Sequence, residues 1–121
     1  MARVLIVDDS PTEVHALKGI LEKNGHSVLS AGNGEEGIAK AKAELPELIL
    51  MDVVMPGLNG FQATRALSKD PQTQHIPIII VTTKDQETDR VWGLRQGAKD
   101  YVTKPVDESE LVNKMNTALG A

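Results

Sequence analysis

Four short apolar runs in this sequence each end on a group able to do chemistry. Asp8 and Asp9 follow Val4-Leu5-Ile6-Val7, and Asp52 follows Leu48-Ile49-Leu50-Met51. Thr82 and Thr83 follow residues 78–81, and Lys104-Pro105 follows residues 101–103. If these runs are neighbouring strands, three carboxylates, a hydroxyl and an ammonium meet at one edge of a sheet, where reactive groups of open α/β sheets belong. Two ionised carboxylates about 4 Å apart repel by roughly 4 kcal/mol at an effective dielectric near 20, so such a cluster needs counter-charge. Lys104 supplies one unit. A small hard divalent cation accepts oxygen ligands and supplies two more, and Mg2+ is the usual one because it tolerates one or two carboxylates plus several waters.

The elements that must position these groups are legible from punctuation and periodicity. Five apolar runs, at 4–7, 26–31, 48–51, 78–81 and 101–103, are mostly β-branched or aliphatic and too short for helices. Between the first two, Ser10-Pro11-Thr12-Glu13 offers an N-cap, a proline at the first helical position and a capping glutamate. Val14, Leu17, Ile20 and Leu21 share a face, and Asn24-Gly25 supplies the stop. The pattern predicts further helices over about 35–44, ending before Pro46, and about 60–68, and a fourth that follows Asp85 and stops at Gly97. Asp107-Glu108-Ser109-Glu110 repeats the capping-box pattern ahead of Leu111, Met115 and Leu119. Alternating strands and helices require right-handed crossovers and a parallel sheet covered on both faces, a three-layer α/β sandwich.

At 121 residues the chain is expected to form one domain. Phe61, Trp92 and Tyr101 are its three aromatic residues, so the core must be aliphatic and a nucleic-acid surface built on stacked aromatics is disfavoured. Thirteen basic against 17 acidic residues, a net charge of −4, also argue against phosphate-backbone binding. Cysteine is absent, which excludes disulfides, thiolate metal sites and cysteine catalysis. The first apolar run is too short for a signal peptide or a membrane span, so the expectation is a soluble cytoplasmic protein.

Asp8-Asp9, Asp52, Thr82 and Lys104-Pro105 together resemble the receiver domains of two-component response regulators, over essentially the whole chain. The resemblance implies a flavodoxin-like (βα)5 sandwich with strand order 2-1-3-4-5. Residues 55–65 and 81–89 look like those of single-domain regulators of twitching motility. Carried over, the pattern makes Asp52 the acceptor of a phosphoryl group from a histidine kinase of a chemotaxis-like pathway. Asp8, Asp9, Asp52 and the Val54 backbone carbonyl would hold Mg2+. Lys104 would pair with one phosphoryl oxygen, and the Thr82 hydroxyl would donate to another. Tyr101 would then turn inward from a more exposed position and reshape a face of the fourth helix, fifth strand and fifth helix, where Trp92 and Lys99 lie. The implied protein is a single receiver domain over 1–121 with no effector. It would be a monomer or a dimer formed on phosphorylation, acting through its own surface or as a phosphate sink. Pro105 is a position where the family implies a cis peptide bond.

Each signal also has a plainer reading. Asp8-Asp9-Ser10 before a helix is ordinary turn and capping chemistry, and Thr82 suits a strand. His15, His26 and His75 share no ligand spacing and read as surface or partly packed residues. Trp92 is either a partner hot spot or a side chain closing the edge of the core. Gly57 and Gly60 read as backbone-conformation residues. Val54, Thr83 and Lys84 depart from the commonest receiver pattern at positions that bear on loss of the phosphoryl group. Two other classes compete: a receiver-like module that binds partners independently of phosphate, and a small enzyme. A flavin carrier is disfavoured by the missing Ser/Thr-Gly phosphate loop. An aspartate-nucleophile phosphatase lacks the second Asp where Val54 stands. A receiver consumed in each cycle is a signalling protein rather than a turnover enzyme.

Overall fold

In the computed structural model, which describes residues 1–120, strands and helices alternate strictly. The strands are β1 (Arg3–Val7), β2 (Ser27–Ala31), β3 (Leu48–Met51), β4 (Ile78–Thr82) and β5 (Asp100–Thr103). The helices are α1 (Pro11–Lys23), α2 (Gly34–Glu44), α3 (Gly60–Lys69), α4 (Glu87–Arg95) and α5 (Glu108–Ala118). All strand pairs are parallel and the order is β2-β1-β3-β4-β5, so the expected flavodoxin-like (βα)5 sandwich is present. No described helix is long and apolar enough to cross a membrane.

Alternation of side chains along each strand divides the interior into two layers. Val4, Ile6, Leu48, Leu50, Ile79 and Val81 pack beneath α1 and α5, with Leu17, Leu21, Leu111 and Met115. Leu5, Val7, Ile49, Met51 and Ile78 pack on the opposite face, with Ala41, Ala63 and Leu67 of α2 and α3. Burial on both faces is why the strands read as continuous apolar runs rather than alternating ones. A smaller cluster of Val53, Phe61, Ile80, Ala98 and Tyr101 lies beside α4.

Register fixes the site. Val7 pairs with Met51, so Asp8 and Asp52 leave the sheet at the same level, and Thr82 pairs with Thr103, one residue before Lys104. Gly60, the first residue of α3, presses on the chain that leaves β3. A Cβ there would overlap the Asp52 carbonyl oxygen and stand 2.8 Å from the Val53 Cα.

Several local expectations change. His26 falls outside β2, and its Nδ1 accepts a hydrogen bond from the Ala2 N–H at 3.0 Å. The Ser10 hydroxyl caps α1 by accepting from the Glu13 N–H at 3.3 Å, but the Ser10 N–H donates to Asp8 Oδ1 at 2.9 Å, so Glu13 does not close a capping box. Asp107 caps α5 through the Ser109 N–H, while Glu110 pairs with Lys114 instead of reaching back. A reciprocal box occurs where the sequence reading named none, between Asn59 and Gln62 at the start of α3. The fourth helix begins at Glu87, and its sole buried residue is Gly93.

Candidate functional site

The carboxyl ends of β1, β3, β4 and β5 bring the sequence-predicted groups together. Carboxylate oxygens of Asp8, Asp9 and Asp52 lie within 4.8 Å of one another. Asp8 and Asp52 are buried and Asp9 is exposed, so the cluster has a closed side and an open one. Lys104 Nζ is the counter-charge: it lies 2.8 Å from Asp8 Oδ2 and 3.5 Å from Asp52 Oδ2, with 8% of its side chain exposed. The peptide bond joining it to Pro105 is cis.

Backbone donors hold the carboxylates in place. Asp8 Oδ1 accepts from the Ser10 N–H and Asp52 Oδ1 from the Val53 N–H, at 2.9 and 2.7 Å. Burial raises the Asp52 carboxyl above the ordinary carboxylate range, and the charge of Asp8 adds to the rise. Lys104, the Thr82 hydroxyl and the Val53 N–H oppose it. For Lys104, burial pulls downward, but the bond to Asp8 and the charges of Asp52, Asp8 and Glu13 outweigh it and the net shift is upward. Lys104 is the one ammonium facing the carboxylates of Asp8, Asp52 and Glu13, so negative groups outnumber positive ones and the site is short of positive charge.

Glu13 is the residue that sequence reasoning placed elsewhere. Read as a capping glutamate, it sends its carboxylate to 3.4 Å from Lys104 Nζ. Its position in the first turn of α1, beside the end of β1, was available as a signal once the strand ends were expected to converge. His15 lines an open cavity beside Asp8 and Asp9, but the clustered metal-ligand set among the described residues contains no histidine.

Over residues 4–116 the chain matches the response regulator receiver domain. The chain belongs to this family. Protein PilH of Pseudomonas aeruginosa is 66% identical to it over 119 residues, 98% of both chains. The response regulator PleD of Caulobacter vibrioides is 40% identical over 116 residues, which are 96% of this chain and 26% of PleD. Among solved structures, the receiver domain of the sensor histidine kinase PA1611 from Pseudomonas aeruginosa is similar with a TM-score of 0.91 and 28% identity, over 99% of this chain and 98% of that one. That structure has a magnesium ion coordinated in its active site cleft.

The other residues of this receiver that the sequence singled out divide into two groups. Thr82 is fully buried, and its Oγ1 accepts the Lys84 N–H at 3.4 Å. Tyr101 is already inward, 3% exposed, and its hydroxyl donates to the Lys84 carbonyl at 2.7 Å. Burial, reinforced by Asp89, Asp52 and Asp85, pushes its phenol up to about 12. Lys84 therefore touches both Thr82 and Tyr101 through its backbone, while its ammonium pairs with Asp89 at 3.5 Å. Val54 and Trp92 are different: they are 59% and 50% exposed. Trp92 does not close the core. It borders Asn59 and Phe61, on the α3 side of α4.

Proposed function

We propose that this receiver is a phosphorylation-dependent signalling protein whose Asp52 carboxylate takes a phosphoryl group from a histidine kinase of a chemotaxis-like pathway. The observation that carries this reading is the convergence of Asp8, Asp9, Asp52 and Lys104 at one sheet edge. An Asp52 oxygen attacks phosphorus, the bond from phosphorus to the donor imidazole nitrogen breaks, and the imidazole leaves with the electron pair and gains a proton. The product is an acyl phosphate on Asp52. Lys104, 3.5 Å from Asp52 Oδ2, is placed to pair with a phosphoryl oxygen, and Thr82 to donate to another.

The donor set fits a hard divalent cation, being all oxygen, clustered, and short of positive charge. Asp8, Asp9, Asp52 and the Val54 carbonyl would hold Mg2+, which when bound neutralises charge on the phosphoryl oxygens. Drawing the Thr82 hydroxyl toward the phosphoryl group alters its contact with Lys84, and through the Lys84 carbonyl the seat of Tyr101. The face of α4, β5 and α5 is thereby readable by a downstream protein, or the receiver drains phosphate from its kinase. Similarity to PilH over 98% of both chains supports a single receiver unit. The resemblance of residues 55–65 and 81–89 to single-domain twitching-motility regulators supports a part in that signalling, with cytoplasmic action as the accompanying proposal. Because each chain carries one phosphoryl group per cycle, signalling describes it better than turnover.

Incubation with Mg2+ and acetyl phosphate is expected to give a base-labile adduct on Asp52. Retention of that adduct by Asp52→Asn would overturn the assignment. Equal partner affinity with and without beryllofluoride would instead support a phosphate-independent binding module.

A further inference from the structure

A trough runs between α3 and α4. Two adjoining cavities, of about 510 and 500 Å3, share Asn59, Phe61 and Trp92. Val54 and Lys84 mark the end near Asp52, and Arg65 and Gln96 the far end. Its walls are unusual for the surface of an acidic protein in two independent ways.

The first is apolar exposure. Val54 and Trp92 stand open on the trough, and α4 carries Val91 and Leu94 at 40% and 38% exposure. The cause is the way α4 seats. It buries Gly93 alone, with the place of a side chain there filled by Ile80, Phe61 and Tyr101, so its large apolar groups have no core to enter. Clustered exposed apolar groups on a small protein mark binding surfaces, and tryptophan and arginine dominate the residues that anchor partners.

The second is charge. Of the chain's 13 cations, Arg3, Lys23, Lys40, Lys42, Lys84, Lys104 and Lys114 form ion pairs. Among the described residues Lys18, Arg65, Lys69, Arg90, Arg95 and Lys99 do not. Five of these six belong to α3, α4 or the turn leading into β5. Arg65 lines the trough, Lys69 follows it one turn along α3, and Arg95 adjoins Gln96. Unpaired positive charge on α3 and α4, in a chain with net charge −4, attracts an acidic ligand.

We propose that the α3–α4 trough binds an acidic segment of a partner protein. A large apolar side chain of that segment packs on Trp92 and Phe61 while its carboxylates pair with Arg65, Lys69 and Arg95. An apolar floor suits a peptide helix laid into a groove. Glu87 and Asp89 in the first turn of α4 repel a continuous phosphate backbone, which disfavours nucleic acid. The surface lies on the α3 side of α4, apart from the face formed with β5 and α5.

Trp92 is the single tryptophan, so its emission reports directly on the trough. The probe is a synthetic helical peptide with glutamates on one face and leucines at i, i+4 and i+7 on the other, titrated without phosphodonor. Its binding is expected to shift Trp92 emission to the blue, and Arg65→Glu combined with Arg95→Glu to weaken it at least about tenfold. Lys18→Glu, which reverses the unpaired cation on α1, should leave affinity unchanged. Replacing the peptide leucines by alanine should abolish the shift. Unshifted emission would overturn the proposal. So would affinity insensitive to the double arginine reversal, equal weakening by Lys18→Glu, or an equal shift produced by single-stranded oligothymidylate.

Discussion

Lys104 donates to Asp8 at 2.8 Å across the full width of β3 and β4, with 8% and 2% of the two side chains exposed. Residues 96 positions apart in sequence thus form the closed side of the site. An ammonium held this way neutralises carboxylates that the fold has already buried, and removing it leaves them uncompensated.

Lys104→Met is accordingly expected to destabilise the protein by about 3 kcal/mol in EDTA. Mg2+ should recover part of that loss, since a cation among Asp8, Asp9 and Asp52 replaces the missing charge. Urea unfolding with and without Mg2+ decides the matter. A loss of equal size in both conditions would mean that packing of the lysine stem, not charge, was removed.

Asp52→Asn should stabilise the metal-free protein. The folded state raises the Asp52 carboxyl, through burial first and Asp8 second, so it holds this proton more firmly than the unfolded chain does. Stability therefore falls as pH rises from the ordinary value of 3.8 through the raised one. The asparagine variant lacks that decline and should be more stable at neutral pH by roughly 0.5–2 kcal/mol, as expected when a strained functional group is removed. Denaturation midpoints across this pH range in EDTA would show parallel curves for both proteins if Asp52 bore no such cost.

Strand ends were the most legible part of the sequence because both faces of the sheet are buried. Residues 4–7 and 48–51 are apolar runs too short for helices, and as parallel neighbours they send the polar residue after each to the same edge. What periodicity did not reach was side-chain choice among partners of similar chemistry. Glu13 had two cations or donors within reach, the Ser10 N–H and Lys104. The contest was decided by Asp8, which takes the Ser10 N–H. Trp92 was undecidable for a related reason: α4 has no apolar stripe, and its seat depends on Gly93 meeting Phe61 and Ile80, side chains of other elements.

Gly60→Ala should damage both fold and chemistry. A methyl group at the start of α3 collides with the Asp52 carbonyl, a backbone atom that cannot rotate aside. Overpacking of this kind is expected to cost about 3 kcal/mol. Displacing the Asp52 backbone also disturbs the bond from the Val53 N–H to Asp52 Oδ1, so the rate of adduct formation with acetyl phosphate should fall in the folded variant. Calorimetry gives the first quantity and mass spectrometry of the intact protein the second. Wild-type values for both would show that α3 can shift without moving Asp52.

Tyr101→Phe isolates the hydroxyl that meets the Lys84 carbonyl at 2.7 Å. Losing one buried hydrogen bond and leaving that carbonyl without this donor should cost about 1 kcal/mol at neutral pH. The alkaline range separates this bond from simple packing. Because burial and the charges of Asp89, Asp52 and Asp85 push the folded phenol from 10.0 up to about 12, the folded chain keeps a proton that the unfolded chain releases. Wild-type stability should fall as pH rises from 10 toward 12, and the phenylalanine variant should be spared that fall, so that the gap between the two proteins closes across the window. The phenolate absorbance of the single tyrosine, followed in the same titration, gives the ionisation directly. An unshifted midpoint would mean that the hydroxyl reaches solvent, and with it that the inward seat against Lys84 is not held.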